Sequence, residues 1–396
     1  MDSAFPNLRN QQDTLFICFS HLRWDFVVQR PHHLMRRATE SNRVVYFEEP
    51  LYQHCAAPWL NMVQDVSGVT IATPNLPNGI SNWEKHISVL LGELVQSYGL
   101  TRLTTWYYTP MALAFSSHLD PNVCVYDCMD ELSAFLFAPP QLNNYENALF
   151  KKCDLVFTGG RSLFNAKQHL HDNIFCFPSS IDTSHFARAR LETPDPDDQS
   201  HIPFPRIGFF GVIDERMDLS LVRETAAAMP GVQFIMIGPI AKVDPGALPR
   251  AGNLHWLGPK TYASLPQYLA NWQAGWMPFA LNASTRFISP TKTPEFLAAG
   301  LPLTSTAITD VVSPYGSAGL VAIADGLSMV RTLRQSLGPQ DPAWLVRVDR
   351  ILAGSSWDST WRAMQSEISR VQRGRNVDDP LPTQARLCAT AGDRNA

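Results

Sequence analysis

The sequence predicts an α/β protein built from two doubly wound domains that face each other across a central cleft. Three observations predict it. Short apolar runs alternate with helical patterns through the first half, a proline- and acid-rich stretch then breaks the rhythm, and the same alternation restarts after it. The 396 residues exceed one ordinary core and suit two domains of common size.

In the first half, strand-length runs fall at residues 15–19, 43–47, 69–72, 103–108, 123–127, 154–158 and 174–177. Helical patterns fill the gaps at 32–38, 82–97, 141–152 and 162–170. Continuous apolar strands separated by helices are what a parallel sheet covered on both faces requires. Residues 191–205 (LETPDPDDQSHIPFP) hold four prolines and four acids and read as a linker. Strands are then expected at 206–210, 232–237, 254–257, 275–278, 301–306 and 319–323, with helices at 219–229, 264–272 and 294–299. A last helix over 357–371 carries Trp357, Trp361, Met364, Ile368 and Val371 on one face, a stripe able to pack back across the first domain. The expected organisation is therefore a first domain over 1–190, a linker over 191–205, a second domain over 206–356, a returning helix over 357–372 and a mobile polar tail over 373–396.

Composition excludes several classes. With 45% hydrophobic and 17% charged residues the chain is not disordered. A formal net charge of -4 argues against a nucleic-acid partner. Seven scattered cysteines, none in a C-x-x-C pair, read as buried free thiols in a reducing compartment. No leader-like or membrane-spanning run stands out, so a cytoplasmic protein is expected, with at most peripheral contact at the inner face of a membrane. There is no G-x-G-x-x-G, Walker loop, H-E-x-x-H or G-x-S-x-G, so dinucleotide enzymes, kinases, zinc proteases and serine hydrolases lack their fingerprints.

The segment 289–302 (SPTKTPEFLAAGLP) carries the most chemistry. Thr293 suits an N-cap, Pro294 the first helical position and Gly300 the helix stop. Free N–H groups there, the Lys292 charge and the Ser289 and Thr291 hydroxyls make an anion site, while Glu295 suits sugar hydroxyls. A capped surface helix with a solvated Lys and Glu fits the same residues. In 208–218 (GFFGVIDERMD), Gly211 allows close backbone approach and Arg216 can reach a phosphate, with Asp214 orienting it or touching the sugar; a polar turn is the bland alternative. On the first domain, Trp24, Arg30 and His33 in WDFVVQRPHHLMRRA and Asp127 and Asp130 in YDCMDE could position an acceptor hydroxyl or take its proton. Asp195-Pro196-Asp197 reads as a solvated turn rather than a metal motif, and no metal or other cofactor is expected.

At these residues the second half resembles the nucleotide-binding domain of GT-B glycosyltransferases, specifically the family-4-like retaining group. GFFGVIDER and PTKTPEFLAAGLPLTST (290–306) carry the likeness, the latter similar to the signature P-x-K-x-x-E-x-x-A-x-G-x-P-V. The opening WDFVVQRPHHLMRRA and YDCMDE look like a bacterial subgroup of polysaccharide synthesis, so the resemblance covers residues 13 to 370. It implies two Rossmann-like domains and a hexosyl transfer from a UDP- or GDP-sugar to a glycan, lipid-linked or small-molecule acceptor. Glu295 takes the place of the ribose-binding Glu, and Lys292 and Arg216 the cationic positions near the diphosphate. Many members carry a first Glu eight residues earlier; here that position is Phe287, with Asn282 and Arg286 nearby as candidate substitutes. A non-hydrolysing nucleotide-sugar epimerase, which would isomerise donor without acceptor, and a silent nucleotide- or glycan-binding scaffold are the alternatives.

Overall fold

The computed structural model describes residues 14–99 and 102–375. The tail from 376 onward, with Cys388, lies outside the described residues. Nine strands form the first sheet: β1 (Thr14–Ser20), β2 (Arg43–Glu48), β3 (Leu51–Gln53), β4 (Trp59–Gln64), β5 (Thr70–Pro77), β6 (Arg102–Tyr107), β7 (Val123–Cys128), β8 (Leu155–Thr158) and β9 (Ile174–Cys176). Their order is β3-β5-β2-β1-β6-β7-β8-β9, all parallel, with β4 antiparallel on the far side of β5. Every residue of β1 is buried, as its unbroken apolar run demands. β4 differs: only Leu60 is half-buried, so backbone pairing with β5 holds a strand that shows no apolar pattern.

The second sheet joins β10 (Arg206–Phe210), β11 (Gln233–Ile237), β12 (Leu254–Gly258), β13 (Ala274–Met277), β14 (Leu303–Ser305) and β15 (Val321–Ile323), in the order β12-β11-β10-β13-β14-β15. This is a doubly wound order whose direction reverses between β10 and β13. In the first sheet the reversal falls between β1 and β6. Ligands of such sheets sit beyond the strand carboxyl ends at those reversals.

Two boundaries differ from expectation. Ile181, Phe186 and Ala189 are buried in the second core, so the chain leaves the first domain near residue 180 rather than 190. Residues 191–205 are a packed strap, not a free linker. Helix Asp197–Ser200 buries Gln199, whose side-chain oxygen accepts from Trp272 Nε1 at 2.8 Å. Arg206 opens β10 inside the core, and Asp195 neutralises it at 2.8 and 2.9 Å. A buried guanidinium requires that carboxylate, so Asp195 serves a charge rather than solvation.

Helix Trp357–Arg375 returns to the first domain, where Trp361 lies 6.3 Å from Phe16 and 6.1 Å from Trp106, ring to ring. Five of the six described cysteines are buried and Cys55 is half-buried. Among the described residues no helix is long and apolar enough to cross a membrane.

Candidate active site

A cavity of about 540 Å³ lies between the strand carboxyl ends of the two domains. Gly211, Arg216, Ser289, Thr291 and Lys292 line it from the second domain, and Trp24, Arg30 and Asp130 from the first. Asp214, Glu295, Asp127 and His33 stand behind this wall rather than on it.

The helix beside the cavity runs Lys292–Ala298, with Thr291 at the N-cap position. It begins two residues earlier than the sequence suggested. Thr293 is therefore inside the helix, buried, with its hydroxyl on Met277 Sδ at 3.8 Å. Pro294 sits at the third helical position, where a backbone N–H has no helical partner to lose. Lys292 becomes the first helical residue. Its ammonium is 2.7 Å from Glu295 Oε2, 3.3 Å from Thr291 Oγ1 and 4.8 Å above the Phe210 ring. The Lys292 side chain keeps 19% of its surface and Glu295 only 7%. Glu295 does not face the cavity as expected; it is buried and holds the Lys292 ammonium in place. Burial pushes its carboxyl above the ordinary range, and Lys292 opposes that shift.

Arg216 is held in the same way. Asp214 accepts from its Nε at 3.0 and 3.1 Å and from its Nη2 at 2.6 Å, so Asp214 orients the guanidinium and is not free for a sugar. The turns that follow β10 and β11 touch backbone to backbone here. Gly211 and Gly238 both have φ near 150°, and a Cβ on Gly238 would fall 1.7 Å from the Gly211 carbonyl oxygen. Gly238→Ala is therefore expected to lower stability by more than about 1 kcal/mol, because the Gly211 turn must move off the cavity wall. A thermal melt would check it.

On the first domain, Asp127 lies within β7 rather than beyond it and is wholly buried. Arg30 grips it through Nε at 2.9 Å and Nη2 at 3.0 Å, and donates Nη1 to the Phe177 carbonyl at 2.7 Å. His33 stacks on Trp357 with centroids 4.6 Å apart, pinning the returning helix. Burial, then Arg37, drives its imidazole well below the ordinary value, so it is neutral and away from the cavity. Trp24 packs on His32 at 4.4 Å and is mostly buried, with one edge on the cavity.

Asp130 is different, because its carboxylate accepts no hydrogen bond among the described residues. Desolvation raises it to about 6, against the pull of Arg216 and then Arg30. If the ionised form is needed, kcat/KM should rise with pH through about 6. Asp130→Asn should remove that limb. A folded-state value above the unfolded one, about 3.9, means that stability is fully present below the unfolded value. It is lost as pH rises through about 6. The Asn variant should be flat across this window in thermal melts, and a pH profile unchanged by the substitution would remove Asp130 from the chemistry.

Phe287, at the first-Glu position, packs against the first domain's core, with the Arg286 guanidinium 5.1 Å over its ring. Neither Arg286 nor Asn282 lines the cavity; Asn282 Oδ1 instead accepts from Ser284 N at 3.0 Å and closes its own turn. Asp130 from the opposite domain is a carboxylate that does reach it. The sequence reading missed Ser179, Lys260 and Tyr262, all on the cavity wall. Lys260 and Tyr262 follow β12, so the carboxyl-end rule would have found them; Ser179 carries no motif, and its hydroxyl donates to the Ser289 carbonyl at 3.1 Å.

No protein-family model matches the sequence. The chain is similar to a Bacillus subtilis (strain 168) protein named as the teichuronic acid biosynthesis glycosyltransferase TuaH, 24% identical over 306 residues and 72% of each chain. Among solved structures it is similar to a sucrose-phosphate synthase from Thermosynechococcus elongatus (TM-score 0.67, 12% identity, 91% of this chain and 100% of that one). It is also similar to a trehalose-6-phosphate structure from E. coli bound with UDP-2-fluoro glucose (TM-score 0.63, 12% identity, 91% and 99%). The fold and the sequence relative together mark the chain as a GT-B glycosyltransferase.

Proposed function

We propose that the protein transfers a hexosyl group from a UDP- or GDP-sugar to an acceptor hydroxyl in polysaccharide or glycoconjugate synthesis, without a divalent metal. One observation carries this reading. Two cations of the second domain, Lys292 and Arg216, each held by its own carboxylate, line one cavity opposite a free carboxylate of the first domain, Asp130.

The anomeric carbon–oxygen bond to the diphosphate breaks, and its electron pair stays on the departing oxygen. Lys292 and Arg216 stabilise the charge that grows there, a role that fixed donors in a water-poor site perform well. The acceptor oxygen bonds to the anomeric carbon, and its proton passes to the departing diphosphate oxygen. Transfer on the same face would retain configuration, as the resemblance implies. Asp130 faces the positive charge that develops on the sugar ring.

The carboxylates behind the cations matter for affinity. Each pair is close to neutral before the donor arrives, so the diphosphate is attracted by oriented donors more than by a large net charge. Donor binding should therefore depend only weakly on salt. Thermal shifts with UDP, GDP and their sugars in EDTA would test the reading. The expected result is stabilisation by one nucleotide and nucleoside diphosphate release on adding acceptor, unchanged by EDTA. Turnover abolished by EDTA and restored by a divalent ion would overturn the metal-free part. Conversion of donor alone to an isomer would favour an epimerase.

A further inference from the structure

A second cavity, of about 220 Å³, opens at the carboxyl ends of β1, β2 and β6. Its floor is aromatic. Phe19, Phe47 and Phe115 pack with ring centroids 5.7, 5.8 and 6.0 Å apart, and Trp83 stands 6.3 Å from Phe115. Tyr52 stands at the mouth, 50% exposed. The space is below the ~300–1,000 Å³ of pockets for drug-sized ligands, which suits one six-membered ring.

The polar groups narrow the choice. Glu48 is already engaged, accepting from Trp24 N and Thr73 Oγ1 at 2.8 Å each and from Arg23 Nη1 at 2.9 Å. Glu49 accepts from no side chain among the described residues. Ser20 Oγ is engaged with the Tyr46 hydroxyl at 2.7 Å and accepts from Leu22 N at 3.0 Å. Among the described residues no Lys, Arg or His lines the cavity. Arg23, nearby, is tied to Glu48 and the Pro50 carbonyl. His21 is neutral, because burial and then Lys242 lower it to about 4.

An anionic group entering here would meet two carboxylates and no cation on the wall. A purely apolar group would cover Tyr52 and Trp83 but make no use of the Glu49 carboxylate exposed beside them. A sugar ring meets both conditions. Its C–H face lies on Tyr52 and Trp83, which keep open surface while the phenylalanines beneath are buried, and its hydroxyl or ammonium groups donate to Glu49. The segment from Ser20 to Trp24 separates this cavity from the larger one, since Ser20 lines the former and Trp24 the latter. Glu48 fixes that partition through the Trp24 N–H.

We propose that this cavity is an acceptor-side subsite for one sugar ring that carries no phosphate or carboxylate, across the Ser20–Trp24 segment from the larger cavity. The proposal rests on the glycosyl-transfer reading. Saturation-transfer NMR on the full chain, with methyl glucoside, glucosamine, glucose 6-phosphate and glucuronate as probes and UDP titrated in parallel, tests it. Methyl glucoside and glucosamine should bind and the two anionic sugars should not. Tyr52→Ala and Glu49→Gln should each weaken the bound sugar about tenfold, the loss of one good contact. Glu49→Gln should affect glucosamine more than the glucoside, and neither variant should change UDP binding. Glucose 6-phosphate binding as well as the glucoside, or glucoside binding untouched by both variants, would overturn the subsite. Should UDP and GDP fail to bind while the glucoside does, the transfer reading falls and the cavity stands as a sugar site. Should UDP bind and no probe sugar bind, the subsite alone falls.

Discussion

Replacing Lys292 with alanine is expected to lower kcat by a factor on the order of 10²–10³, the usual effect of deleting one donor aimed at developing negative charge. The ammonium sits on the cavity wall at the start of helix Lys292–Ala298, with only 19% of its side chain exposed. Water therefore cannot supply the same stabilisation at no loss. The substitution also strips Glu295 of its partner. Burial already raises that carboxyl, and without Lys292 it will take up a proton rather than stay charged in the core. A folded value raised further above the unfolded one makes the variant's stability fall as pH rises through that value. Lys292→Ala combined with Glu295→Gln should remove this pH dependence and stay inactive. Rates and thermal melts on both variants separate catalysis from folding. A double variant that folds and transfers at close to the wild-type rate would defeat the assignment.

The largest effect on stability is expected at Arg30. Asp127 is wholly buried, and two guanidinium nitrogens satisfy it while a third serves the Phe177 carbonyl. Arg30→Leu leaves a carboxylate and a carbonyl unpaired inside the first domain, a loss of about 3–5 kcal/mol. For a domain of this size the melting temperature should drop by roughly 10 °C. Replacing Asp127 with leucine as well should recover much of the loss, since well-packed apolar groups often match a buried ion pair. A double-mutant cycle followed by thermal denaturation checks this. A single variant that melts with the wild-type protein would mean that the pair is not formed in solution.

The fold was legible because buried parallel strands must be apolar along their whole length. The runs at 15–19, 43–47 and 206–210 each became such a strand, apart from the arginine that opens the second and third. β4 was not legible, because WLNMVQ is exposed and is stabilised by backbone pairing that side-chain periodicity does not report. Helix Pro342–Leu352 did leave a trace: Asp341 caps it, accepting from Ala343 N at 2.9 Å, and Pro342 takes the first position. In the site, residues selected by charge at strand ends, Lys292, Arg216 and Asp130, reached the cavity. Glu295, Asp214 and Asp127 did not, because a buried cation requires a carboxylate behind it. A linear sequence does not distinguish that acid from one that meets ligand. His33 was misplaced for a related reason, since its aromatic partner Trp357 lies 324 positions away in the numbering and only the folded chain brings them together.

The polypeptide passes between the domains twice among the described residues, from Phe177 to Ile181 and from Leu352 to Trp357. Two such short tethers act like the pins of a door. They suppress sliding and separation of the leaves and leave rotation about the line through both pins as the easy motion. Any opening of the cavity would therefore carry Lys292 and Asp130, on opposite leaves, apart along one arc, and closing would restore the same facing of cation and carboxylate.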